Sequence, residues 1–174
     1  MLTTSYTKEV VPILRHVRDM LMPFYGKAEI LRQKGDSVVT VVTELDIKIE
    51  EFIAGELKKR YSTIEFAGEE TGGSRDAEQF WLVDPIDGTS HFVRGLPFCT
   101  TMLALIETGE VIFSVIYVFM GDVMYVAEKG KGATMNDKAI HVSSRSLAEA
   151  YMGFEIDIGR EDNKTLHQKI RSQC

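Results

Sequence analysis

Tyr61 marks a change of hydrophobic period that limits what this chain can become. Before it, apolar residues recur at helical spacing in two segments. From Ser5 to Tyr25 they are Val10, Ile13, Leu14, Val17, Leu21 and Phe24, with Gly26 as a stop. From Thr43 to Tyr61 they are Leu45, Ile49, Phe52, Ile53 and Leu57. Thr43 reads as the N-cap of this second helix, and Asp46 three residues on approaches a capping box. Pro12 predicts a first helix that is kinked in its opening turns or regular only from that residue. Between the two, "SVVTVV" at residues 37–42 is rich in β-branched residues and predicts a short extended segment. After Tyr61 come the short extended runs "TIEFAG", "FWLVD", "TTMLALIE", "VIFSVIYVF" and "VMYVAEK", divided by the turns "ETGE", "MGD" and "KGKGATMNDKAI". Two helices followed by hairpins predict an α+β fold with a largely antiparallel sheet. A further strand is expected near "YMGFEI" and a helix in "REDNKTLHQKIRSQ".

The 174 residues, 44% hydrophobic and 26% charged, suffice for one core or for one domain and part of another. A formal charge of -6, with scattered Lys and Arg, gives no basic footprint for nucleic acid. No apolar stretch approaches the roughly 18 residues of a membrane-spanning helix, and "MLTTSYTKEVV" lacks the order of a signal peptide. Cys99 and Cys174 form neither a disulfide framework nor a metal-ligand spacing. The expectation is a cytoplasmic protein with no membrane partner.

The chemistry of the chain concentrates in "WLVDPIDGTSHF", residues 81–92. Pro85 holds Asp84 extended at the strand end while the chain turns. Gly88 relieves the turn, and Thr89 and Ser90 are candidate N-caps for a short helix. Asp84, Asp87 and the Ile86 carbonyl can then converge. Such oxygen-only donors suit Mg²⁺, Ca²⁺ or Mn²⁺ rather than Zn²⁺, and the Gly88 and Thr89 amides suit a phosphate beside the ion. In "FAGEE", Glu69 and Glu70 follow another apolar run, and adjoining strand ends would bring Glu69 to Asp84. The set reads as a two-metal site that activates a water and stabilises the leaving oxygen of a phosphate ester. By itself, D-P-x-D-G is also the composition of a solvated surface turn.

The longer pattern resembles the inositol monophosphatase family, whose first signature is an aromatic-apolar-apolar-Asp-Pro-Ile/Leu-Asp-Gly-Thr run ending in Phe. The resemblance extends to "GEE", "VVTELD", "LPF", "VIYVFMGDVMYVAEKGKGA" and "HVSS", and so covers nearly all of the chain. It implies the N-terminal part of a layered α/β sandwich, two long helices packed on a largely antiparallel sheet. It implies Mg²⁺ as cofactor, two or three ions in the complete family site. Glu69, Asp84 and the Ile86 carbonyl would hold the first ion, and Asp84 would bridge to a second that Asp87 also binds. Glu70 would stand beside the site. Asp46 would orient the Thr89 hydroxyl, which positions or deprotonates the attacking water together with Glu69, and Gly88 and Thr89 would cradle the phosphate. The implied substrate is inositol monophosphate or a related small phosphorylated polyol or sugar. Lithium sensitivity and a homodimer are the family's habits.

The departures shape the rest of the expectation. The family's later Trp-Asp-x-Ala-x-Gly signature, whose Asp completes the second metal site, is absent, since the only tryptophan is Trp81. Asp157, Glu161 and Asp162 stand in the wrong context and read as a solvated loop. Where His91 and Thr40 stand, the family usually has Asn and Asp. The chain therefore reads as the N-terminal part of a longer protein: a metal- and phosphate-binding α+β domain at residues 1–145 and the start of an incomplete α/β domain at 146–174. The alternatives are a catalytically weak or inactive metal-binding domain of this family, or fructose-1,6-bisphosphatase, histidinol-phosphatase or 3′-phosphoadenosine 5′-phosphate phosphatase activity.

Overall fold

Both helical patterns form helices. The computed structural model describes residues 5–33 and 41–149, and the chain divides into two compact units, residues 1–140 and 141–174. Helix α1 spans Ser5–Leu21 and is continuous through Pro12, whose ring lies on the exposed side while Val10, Ile13, Leu14 and Val17 are buried. It ends four residues before the expected Tyr25 because Pro23 cannot donate to the preceding turn. Residues Met22–Phe24 make a 3₁₀ turn instead, which leaves Phe24 46% exposed and outside the core. Helix α2 spans Glu44–Arg60. Its start is a capping box: Leu45 N donates to Thr43 Oγ1 at 3.1 Å, and Thr43 N donates to Asp46 Oδ2 at 2.7 Å.

Ahead of α2, β1 (Ile30–Gln33) pairs antiparallel with β2 (Val41–Thr43). The sequence reading has no strand at β1. Of the "SVVTVV" segment, residues 41 and 42 are strand and residues 37–40 lie outside the described residues.

The large sheet has seven strands in sequential order: β3 (Glu65–Gly68), β4 (Gln79–Asp87), β5 (Thr100–Glu107), β6 (Glu110–Val118), β7 (Val123–Glu128), β8 (Gly132–Met135) and β9 (Lys138–Ile140). Only β3 with β4 is parallel; every other pairing is antiparallel. The sequence predicts a turn where β8 and β9 form a hairpin. Asn136 and Asp137 both adopt positive φ there, as a two-residue hairpin loop requires.

Register decides which face is buried. Trp81 pairs with Leu105 and Val83 with Leu103, while Leu105 pairs with Phe113 and Leu103 with Val115. Val115 pairs with Val126 and Tyr117 with Met124. This row is buried in one core with Val10, Ile13, Leu14, Val17 and Leu21 of α1 and Ile49, Ile53 and Leu57 of α2. Each such aliphatic side chain contributes about 1.5–3 kcal/mol on burial. Arg18 Nε donates to the Phe119 carbonyl at 2.8 Å, tying α1 to the end of β6. Residues of the alternate row, among them Leu82, Met102, Ala104 and Ile106, are only half-buried.

In the second unit, Ser146 N and Oγ donate to Glu149 Oε2 around a 3₁₀ turn at Leu147–Glu149. The strand and helix expected after residue 150, with Asp157, Glu161 and Asp162, lie outside the described residues. No helix among the described residues is long and apolar enough to cross a membrane.

Candidate active site

The parallel pairing of β3 with β4 sets Gly68 opposite Val83, so both strands point the same way and the residues after them emerge together. Glu69 N donates to the Val83 carbonyl at 3.1 Å, which carries the Glu69 carboxylate to the neighbourhood of Asp84. Asp84 does not end the strand, as expected, but lies within it. β4 continues to Asp87, with a register irregularity between Asp84 and Asp87 against β5. Such a bulge re-aims side chains that strict alternation would send to fixed faces. Thr101, fully buried, donates its hydroxyl to the Pro85 carbonyl at 2.8 Å and secures this bend.

Gly88 follows with φ of 80° and is the N-cap of helix α3 (Thr89–Val93), whereas the sequence predicts Thr89 or Ser90 in that place. A Cβ on Gly88 would run into the Phe98 carbonyl, so the close approach and the left-handed φ both demand glycine. Ser90 is buried inside the helix, and the His91 ring meets Phe98 edge-on with centroids 5.9 Å apart. Cys99, beneath this turn, is buried, and burial pushes its thiol up to about 11, with Asp87 adding to the shift.

Thr89 Oγ1 lies 2.8 Å from the Ile86 carbonyl and 3.0 Å from Asp46 Oδ1, with one proton to share between the two acceptors. Asp46 is almost fully buried, and its other oxygen accepts from the backbone N–H and hydroxyl of Thr43, both at 2.7 Å. Burial raises its carboxyl above the ordinary value, hydrogen bonds from Thr43 and Thr89 oppose this, and the charge of Glu70 adds to it. Asp87 is exposed, and its Oδ2 accepts from the Thr100 hydroxyl at 3.3 Å.

Asp84 carries the electrostatic load. Burial, then the charges of Glu69 and Asp87, then a hydrogen bond with Glu69, push its carboxyl from 3.8 up to about 8. Its Oδ1 is buried and has no hydrogen-bond partner among the described residues. A buried carboxylate oxygen left without a donor, with further carboxylates acting on it, suits a hard cation. Among the described residues no three carboxylate, imidazole or thiol groups stand together as a ready-made ligand set. The fit therefore rests on the Asp84 oxygen, its two carboxylate neighbours and the Ile86 carbonyl.

The sequence reading overlooked Glu50. It is wholly buried on α2 one turn after Asp46, and its oxygens accept from Glu70 N at 2.9 Å, from Thr71 N at 2.7 Å and from the Thr71 hydroxyl. The available signal was a carboxylate at i+4 from Asp46 in line with the apolar face.

Comparison with known proteins gives this arrangement its family. The model of the inositol monophosphatase family matches residues 4–172, and the chain belongs to that family. It is 35% identical over 161 residues to inositol monophosphatase 2 of Solanum lycopersicum, an alignment covering 88% of this chain and 57% of that one. It is 33% identical over 144 residues to the fructose-1,6-bisphosphatase/inositol-1-monophosphatase of Thermotoga maritima, covering 82% and 55%. The structure of the extragenic suppressor protein SuhB from Bartonella henselae superposes with a TM-score of 0.74 at 31% identity, covering 82% of this chain and 56% of that one. The chain spans about half the length of the curated relatives it matches.

Proposed function

We propose that this chain carries the metal- and phosphate-binding half of a phosphoric monoester hydrolase of the inositol monophosphatase type. The substrate is inositol monophosphate or a related small polyol or sugar phosphate, and the cofactor is Mg²⁺. The observation that carries the reading is the buried, unpartnered Oδ1 of Asp84, under the charges of Glu69 and Asp87. Glu69, Asp84 and the Ile86 carbonyl would hold one ion, and Asp84 and Asp87 a second. When bound, Mg²⁺ supplies Lewis acidity, lowering the pKa of water and offsetting charge on phosphate oxygens. When the Thr89 proton is directed to Asp46, the hydroxyl oxygen is left to accept from the attacking water and hold it for in-line approach. Asp46 fixes that direction because Thr43 anchors its other oxygen. Gly88 and Thr89, at the positive-φ turn, present backbone N–H groups to the phosphate. The names borne by the relatives support this substrate class, and lithium sensitivity and a homodimer are carried over as expectations for the longer protein. A cytoplasmic setting fits an acidic chain without a membrane-spanning helix among its described residues.

A second reading has its own support, because the chain spans about half the length of its relatives. On that reading the chain binds a divalent cation but turns over weakly or not at all. The test is phosphate release by this chain and by any longer protein containing it. Inositol monophosphate, fructose 1,6-bisphosphate, histidinol phosphate and 3′-phosphoadenosine 5′-phosphate are offered with Mg²⁺, with chelator and with lithium. Release from inositol monophosphate that needs Mg²⁺ and falls with lithium is the expected result. Release that ignores chelator would refute the metal assignment, and turnover confined to the longer protein would favour the second reading for this chain.

A further inference from the structure

We infer that Glu50 is a positioning residue for the cation site: it fixes the turn that carries Glu69, and through it the approach of Glu69 to Asp84. The inference rests on the metal reading proposed above. A wholly buried carboxylate requires compensation, and none of the ion pairs among the described residues involves Glu50. Its compensation comes from the turn after β3, where the two backbone N–H groups of Glu70 and Thr71 and the Thr71 hydroxyl meet its two oxygens. Glu69 is the residue immediately before this pair of donors.

Gly68 shows how tightly the two elements are fitted. A Cβ there would overlap the Glu50 carboxylate itself, so the strand end lies directly on the helix side chain. On the other side, Glu69 N is bonded to the Val83 carbonyl, one residue before Asp84. The Glu69 backbone is thus fixed from two directions, by β4 and by α2. Asp46, one turn earlier on α2, accepts from the Thr89 side-chain hydroxyl. One helix face therefore sets the spacing between two turns: residues 68–71 through Glu50 and residues 86–89 through Asp46. Glu50→Gln keeps the volume but replaces one acceptor oxygen by an NH₂ group facing an N–H donor, so one side of the clamp turns repulsive.

The test uses the chain with Mn²⁺ as the probe, its binding followed by water-proton relaxation, and amide hydrogen exchange at Glu70 and Thr71 measured without metal. Glu50→Gln is expected to speed exchange at both amides and to weaken Mn²⁺ binding by roughly ten- to hundredfold. Glu51→Gln, on the exposed side of the same helix, is expected to change neither. Asp84→Asn separates the two ideas. If wild type and Asp84→Asn bind Mn²⁺ alike, the metal reading fails and this inference with it. If Asp84→Asn abolishes binding while a folded Glu50→Gln binds as wild type does, the inference alone is overturned, and a lowered melting temperature with unchanged affinity counts the same way. Should Glu50→Gln not fold, Thr71→Val removes a single donor to Glu50 and carries the test, several-fold weaker binding being expected and wild-type affinity overturning the proposal.

Discussion

On the proposed phosphatase reading, Asp84→Asn should lower Mg²⁺-dependent phosphate release by roughly a hundredfold or more, and yet make the cation-free protein more stable than wild type at pH 8. The loss follows from removing the one carboxylate assigned to both ions. The gain follows from linkage. In the folded chain the Asp84 carboxyl is pushed up to about 8, first by burial and then by the charges of Glu69 and Asp87, from an ordinary 3.8. Below the ordinary value both folded and unfolded chains hold the proton, and the group has no effect. Between 3.8 and about 8 the unfolded chain releases a proton that the folded chain retains, so Asp84 lowers stability progressively as pH rises through this window. Above it the penalty is complete. Asparagine carries no such proton, and the part of the slope that Asp84 contributes should vanish in the variant. Urea melts of both proteins in chelator at pH 5 and pH 8 measure the effect. A wild-type chain whose stability relative to Asp84→Asn is the same at the two pH values would contradict the account.

Trp81→Ala is expected to cost about 3–5 kcal/mol of stability, enough to unfold most domains of this size at elevated temperature. Trp81 is 1% exposed and stands in the strand that leads to Asp84. Its ring lies 5.4 Å from that of Tyr61, 6.0 Å from Tyr6 edge-on and 6.3 Å from Phe113 edge-on. It therefore joins the first residues of α1, the end of α2 and the middle of β6. Its Nε1 is buried with no hydrogen-bond partner among the described residues, a cost the aromatic contacts outweigh. Trp81→Phe keeps much of the ring packing and removes the orphaned donor, so its loss should be well below that of Trp81→Ala. Thermal melts of the two variants measure this, and equal losses would show that a phenyl ring recovers none of the packing.

Both helices, five of the sheet's strands and the residues of the candidate site were legible in the sequence for different reasons. Periodicity located α1 and α2 because their apolar side chains face one core. The carboxylates were legible because Pro85 and Gly88 constrain the backbone between them, and a long motif carries that constraint. What failed was governed by single residues competing with a pattern. Phe24 continued the helical spacing, but Pro23 ended the helix before it. β8 and β9 contain Gly132, Ala133, Lys138 and Ala139, which have little intrinsic strand preference, so β7 and the Asn136–Asp137 loop determine their state. Glu50 escaped notice because a charged residue in a helical pattern is ordinarily assigned to solvent. Its burial is specified by a turn twenty or more positions away, as its bonds to Glu70 and Thr71 show.

The unequal strand lengths of the sheet bear on solubility. β4, β5 and β6 have nine, eight and nine residues, whereas the marginal strands β3 and β9 have four and three. An outer strand offers its unpaired backbone groups to any other extended chain, and short margins offer few of them. Lys138 adds a charge at one of these margins, so a neighbouring molecule meets little template for continuing the sheet. Lys138→Val should therefore increase light scattering when concentrated protein is refolded from urea, and unchanged scattering would show that length alone protects that margin against polymerisation.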